Sequence, residues 1–175
     1  FGPNGGLDIG GSFVATTADA IQFDGHGFFS ASDINTNLAL LTVNPSAFLF
    51  NQTIPEPIIS QSAAFNLRTF SFGLGVPDGK SLLLLGGDVI LETSPTASID
   101  ANFVTVPGGR IELGGLNSPG IVELDVNGER FSLNYEDNAL LANISLDSGS
   151  VLDVSNLFNN ERPGSVVINA SSLSL

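Results

Sequence analysis

The chain has no cysteine, no methionine and no tryptophan, and only five of its 175 residues are Lys or Arg. Without cysteine there is no disulfide scaffold, no thiolate metal site and no thiol nucleophile. The compartment stays open, because a sizeable apolar core needs no covalent staple. The missing methionine, even at position 1, implies a processed product or a piece of a longer chain, and no signal peptide is visible. Eighteen acids against five bases give a formal net charge of −13. That balance opposes nucleic acid and anionic membranes as partners, since both demand a positive footprint. The longest purely aliphatic run, Leu82 to Leu85, is far too short to cross a bilayer, so no membrane insertion is expected.

What is present is apolar, glycine-rich and repetitive. Hydrophobic residues make up 42% and charged residues only 13%, where a typical soluble domain carries about a quarter charged residues. Twenty Gly and nine Pro suit a turn-rich, all-β chain. The hexad Gly86-Gly87-Asp88-Val89-Ile90-Leu91 returns further along as Gly108-Gly109-Arg110-Ile111-Glu112-Leu113. Val89 overlays Ile111 and Leu91 overlays Leu113, while Asp88 and Ile90 become Arg110 and Glu112. Ile90, Glu112, Ser132, Leu152 and Leu173 extend the series in steps of 20 to 22. A short strand per copy at that period predicts a solenoid, in which no repeat buries its apolar face alone. The fold expected is a right-handed parallel β-helix with about 20–22 residues per rung, like stacked on like. Six to eight rungs would fit, about 4.8 Å apart. A sandwich would favour two-residue hairpin turns, and Asn127-Gly128 is the one good candidate.

Taken in order, Phe1 to Asp19 opens on a turn. Strands are predicted around Leu7 to Ile9 and Ser12 to Ala15, with Gly10-Gly11 as a corner that uses φ > 0. Residues 24–72 break the period with Asn-rich and Pro-rich pieces, including Asp33 to Asn37. Short strands are expected there at Leu38 to Val43, Phe48 to Phe50 and Ile58-Ile59, as a rung or two with a hairpin standing off the body. Regular rungs are expected over 76–175, with intermediate strands at Val122 to Leu124 and Ile144 to Leu146. Only 137–146 is ambiguous between helix and strand. The whole is one continuous solenoid, with 1–75 as one part and 76–175 as the other.

The opening FGPNGGLDIGGSFVATTADAIQF closely resembles the secretion domain of filamentous haemagglutinin-like exoproteins of the two-partner secretion type, cyanobacterial branch. NPSAFLF, VPDGKSLLLLGGDVIL and PGGRIELGG are similar to the same exoproteins. Phe1, Gly2, Leu7, Ile9, Gly10, Gly11, Phe13 and Val14 carry the secretion-domain match; Gly86, Gly87, Val89, Leu91, Gly108, Gly109, Ile111 and Leu113 carry the repeat. The resemblance implies 1–75 as the C-terminal part of the secretion domain, with 76–175 as β-helix rungs. It also implies export through an outer-membrane partner barrel of the Omp85 type.

No residue pattern in the chain points to catalysis. His26, the single histidine, sits in Asp24-Gly25-His26-Gly27 with no Gly-x-Ser-x-Gly elsewhere, and is expected in a solvent-exposed turn. Glu112, Glu123 and Asp125, and Glu136 with Asp137, are candidates for carboxylate pairs in glycoside hydrolysis or for a calcium loop. Neither spacing fits, and an acidic solvated face is expected. No cofactor and no metal site are predicted. Asn51, Asn143 and Asn169 head N-glycosylation triplets that are expected to be chance. Without a polar cap, a β-helix end exposes a full rung of unpaired backbone groups, where a second copy or further rungs of the same chain would stack. The expectation is a secreted or cell-surface, non-enzymatic exoprotein, an adhesin or a unit of an extracellular filament, with a glycan or cell-surface receptor. A polysaccharide-binding or polysaccharide-cleaving β-helix is the alternative.

Overall fold

The computed structural model describes residues 1–24, 26–31, 44–97, 99, 101–156 and 163–175. Among these the protein is all-β, with eighteen strands and no helix. The strands predicted at Leu38 to Val43 and the Asn-rich piece 33–37 lie outside the described residues.

Eleven strands form three parallel sheets. The first runs β1 (Phe13–Thr16), β9 (Ser81–Gly86), β12 (Arg110–Gly115) and β17 (Ser165–Asn169). In the second, β5 (Ile58–Ser60), β10 (Val89–Leu91), β15 (Asn143–Leu146) and β18 (Ser172–Ser174) follow one another. The third holds β8 (Leu74–Gly75), β11 (Asn102–Thr105) and β16 (Ser150–Asp153). The chain visits them in rotation: β9, β10, β11, then β12, β15, β16, then β17 and β18. Each pass therefore lays one strand against its equivalent from the pass before.

The register corrects the expected repeat. Ile111 pairs with Leu82 on the pass before, and Val89 pairs with Ile58 and Ile144. The two hexads belong to different sheets, β10 and β12, so Val89 does not stack on Ile111. The step from one hexad to the other carries the chain to a different face of the next pass. Gly86 closes β9 and Gly87 follows it, Gly108-Gly109 precedes β12, and the two pairs mark corners of unlike kind. The markers Ile90, Glu112, Ser132, Leu152 and Leu173 fall in four different sheets. Both hexads still face a common interior: Val89, Leu91, Ile111 and Leu113 are fully buried with Leu74, Leu82, Leu84, Val104 and Ile144 in one cluster.

Two passes are longer than the one that runs from Ser81 to Arg110, because they carry insertions, and the insertions meet. β2 (Ala20–Phe23), β3 (Gly27–Ser30) and β4 (Pro45–Phe50) leave the first pass; β13 (Gly120–Asn127) and β14 (Arg130–Tyr135) leave the third. They join as one antiparallel sheet in the order β14-β13-β4-β2-β3, with Val122 opposite Phe48. Val122 to Leu124 and Ser132, expected as rungs, are thus the two arms of a hairpin that closes on Asn127 opposite Arg130 and turns at Gly128-Glu129. With those residues diverted, no parallel sheet has more than four strands among the described residues, against the six to eight rungs expected. A smaller hairpin, β6 (Phe65–Asn66) with β7 (Ser71–Phe72), stands at the other side of the first pass. The expected strand at Leu7 to Ile9 is absent.

The antiparallel sheet packs on the outer face of the first parallel sheet and makes a second core. Leu82 and Leu84 point into the first cluster, whereas Leu83 and Leu85 pack with Phe48, Phe50, Val122, Leu124 and Leu133. Successive strand residues point to opposite faces, so a strand buried on both sides reads as an unbroken apolar run. That is why Leu82 to Leu85 are all Leu.

Candidate functional site

The N-terminal residues form a strap along the first pass. The Phe1 amino group donates to the Ile59 carbonyl at 2.6 Å, Gln61 N donates to Phe1 O at 2.7 Å, and Ala63 N to Pro3 O at 3.0 Å. Asn66 Nδ2 reaches Leu7 O at 3.1 Å, and Arg68 Nε pairs with Asp8 Oδ1 at 2.6 Å. Leu7, Ile9 and Phe13 turn inward against the first core, and Val14 faces the second. Phe1 meets Phe13 edge-on, ring centroids 6.4 Å apart. Gly2, Gly10 and Gly11 are exposed, with open space where a Cβ would stand. Neither Gly10 nor Gly11 has positive φ, so the expected left-handed corner is not there.

Close stacking of passes accounts for the repeat glycines. A Cβ on Gly87 would lie 2.2 Å from the Pro55 carbonyl oxygen, and one on Gly109 the same distance from the Lys80 oxygen. Gly108 has φ +58°, which L side chains rarely adopt. Gly86 would meet Thr17 and Ile58.

The acids separate. Glu123 and Asp125 point away from the second core along β13, where they line an open cleft of about 670 Å³ with Gln22, Asp24, Asn134 and Glu136. Glu112 does the opposite and is fully buried between the two layers, which corrects the solvated face expected for it. Its Oε2 accepts from Arg110 Nε at 2.9 Å and from the backbone N–H of Leu133 at 3.1 Å, and its Oε1 from Asn169 Nδ2 at 2.9 Å. Beside it the Tyr135 hydroxyl is buried without a hydrogen-bond partner among the described residues. Burial first, and the Glu112 charge second, hold that phenol well above its usual range. Glu112 and Glu123 lie on opposite sides of the antiparallel sheet, so they make no carboxylate pair across a groove.

His26 is exposed in the turn before β3. Of the Asn triplets, Asn169 spends its amide on Glu112, Asn143 Oδ1 accepts from Ser172 at 2.6 Å, and Asn51 is exposed. No group of three metal-ligating side chains is present among the described residues. Among the described residues no helix is long and apolar enough to cross a membrane.

Sequence reading missed the Glu112 cluster. Its one visible signal was Ile111-Glu112-Leu113, a carboxylate in a strand whose aligned neighbour, Leu83, is apolar.

Neither a curated protein nor a solved structure matches the chain. The family profile for the TPS secretion domain matches residues 1–168, a span that includes strap, parallel sheets and antiparallel layer alike. The chain therefore belongs to the TPS secretion domain family, and is the secreted exoprotein half of a two-partner system whose other half is an outer-membrane transporter of the Omp85 type.

Proposed function

We propose that the three parallel sheets are the faces of a single right-handed β-helix, and that the protein serves outside the cell as a non-enzymatic adhesive or structural rod. The supporting observation is the rotation of the chain through the three sheets, each pass paired in register with the last. Crossover connections between parallel strands are right-handed in nearly all proteins, which gives the hand. Where no insertion interrupts it, one rung runs from Ser81 to its partner Arg110. On this reading the matched span, residues 1–168, is itself built of these rungs, strap included. Glu112 is buried on the opposite side of the antiparallel sheet from Glu123 and Asp125 and makes no pair with them across a groove, which favours binding over hydrolysis. The edges of β17 and β18 are where a further rung, or a second copy stacking end to end into a filament, would pair.

Adhesion is tested by immobilising the purified protein and measuring retention of whole cells and of a panel of polysaccharides. Retention above an inert acidic protein of similar size supports the reading; equal retention contradicts it. Electron microscopy of the same sample separates single rods from filaments.

A second reading, a polysaccharide-active face, has the acidic cleft on the antiparallel sheet in its favour. Replacing Glu123 and Asp125 by Ala would abolish glycan retention or depolymerisation on this reading, and leave both unchanged if the cleft is idle.

A further inference from the structure

On the outer face of the first parallel sheet, one column of stacked residues reads Val14, Leu83, Glu112, Val167. Three of the four are aliphatic, and a Leu at 112 would continue the column. Packing therefore does not call for a carboxylate there, and burying a charge is costly unless every acceptor site is used. The donors that use them come from three elements: Arg110 on its own strand, Leu133 on the hairpin, and Asn169 on the following pass.

We propose that Glu112 is a register latch, which couples the docking of the β13–β14 hairpin to the stacking of β17 on β12. Apolar contacts alone fix neither position. Sliding the hairpin by two residues keeps the same face of β13 and β14 toward Leu83 and Leu85, because side chains alternate with a period of two. Only the observed position brings the Leu133 N–H to the carboxylate. Likewise, Asn169 reaches Oε1 in the register that sets it opposite Gly114.

The rest of the hairpin repeats the pattern of polar ties across passes. Phe131 N donates to Ser81 Oγ at 3.0 Å, Arg130 Nη2 to Gly108 O at 3.1 Å, and Ser12 Oγ to the Glu129 carbonyl; Lys80 pairs with the Glu129 carboxylate. The turn and outer edge of β14 thus reach residues of the first and second passes, Leu133 reaches Glu112 on the third, and Glu112 in turn binds Asn169 on the fourth. One hairpin fastens four passes, and its inner end is held by one side chain.

Residue-level amide hydrogen exchange on the full chain tests this, comparing the native sequence with Glu112→Leu and Glu112→Gln. Latching requires the amides of Phe131 and Leu133 to exchange about tenfold faster or more in both variants, with Leu82 to Leu85 still protected. A folded Glu112→Leu with native hairpin protection overturns the proposal. Should Glu112→Leu not fold, Asn169→Ala decides. Faster exchange in both β17 and the hairpin supports coupling, and faster exchange in β17 alone refutes it.

Discussion

Tyr135 fills the space that a side chain at Gly114 would need: a Cβ built there would stand 2.1 Å from the phenolic oxygen. The aromatic ring of the hairpin and the bare backbone of β12 fit together, and both sit beside the buried Glu112 carboxylate.

Gly114→Ala should therefore destabilise the protein by about 1–3 kcal/mol, the usual cost of overpacking. Tyr135→Phe removes a buried hydroxyl that has no partner among the described residues, so it should be neutral or stabilising. In the double variant the loss should be smaller than in Gly114→Ala alone. Urea denaturation of the three variants measures each value, and simple additivity would show that the two residues do not meet.

Leu83→Ala and Leu84→Ala should cost about the same, roughly 2–5 kcal/mol each. Their side chains point into different cores, and both residues are fully buried. A sheet wet on its outer face would give a large loss for Leu84 and a small one for Leu83. Denaturation midpoints of the pair distinguish these cases.

How far the sequence revealed this arrangement depends on which contact is asked about. Alternation, glycine corners and apolar runs made the all-β class legible, as did the buried strand at Leu82 to Leu85. The length of one pass was not legible, because a pass contains three short apolar strands that resemble one another. Aligning Val89 with Ile111 matched residue types correctly and matched faces wrongly. The hairpin from Gly120 to Tyr135 has the same alternation as a rung, so only the Asn127-Gly128 pair betrayed it. Burial of Glu112 had no local signal beyond its apolar neighbours, since its donors lie up to 57 residues away.

Gly10 of the secretion motif and Gly87 of the repeat should separate stability from export. Gly10→Ala meets open space at ordinary φ and should shift stability by less than about 0.5 kcal/mol. Gly87→Ala drives a Cβ into the Pro55 carbonyl and should cost well over about 1 kcal/mol. Thermal melts and secretion yield beside the partner transporter should be recorded together. A stable Gly10→Ala protein that is exported poorly would assign Gly10 to transporter recognition; normal export would leave it a spacer.

Asp19 should carry a pH-dependent contribution. Its carboxylate accepts from Asn51 N at 2.6 Å and Gln52 Nε2 at 3.0 Å, tying β2 to the end of β4. The Asn51 amide first, then the Gln52 side chain, hold its pKa below the usual 3.8, against a small opposing effect of burial. A depressed folded-state pKa means stability that is present above the unfolded value and lost as pH falls through the folded one. Denaturation between about pH 5 and pH 2 should show that decline below about pH 4, and Asp19→Asn should flatten it. An equal slope in the variant would remove Asp19 as the cause.

The coiled path of the chain is tested most directly by interstrand amide NOEs in solution. A β-helix in which one pass carries Ser81 round to Arg110 predicts contacts from Leu84 to Leu113 and from Leu74 to Val104, in a parallel pattern. Contacts linking Val89 to Ile111, or an antiparallel pattern between β9 and β12, would contradict it.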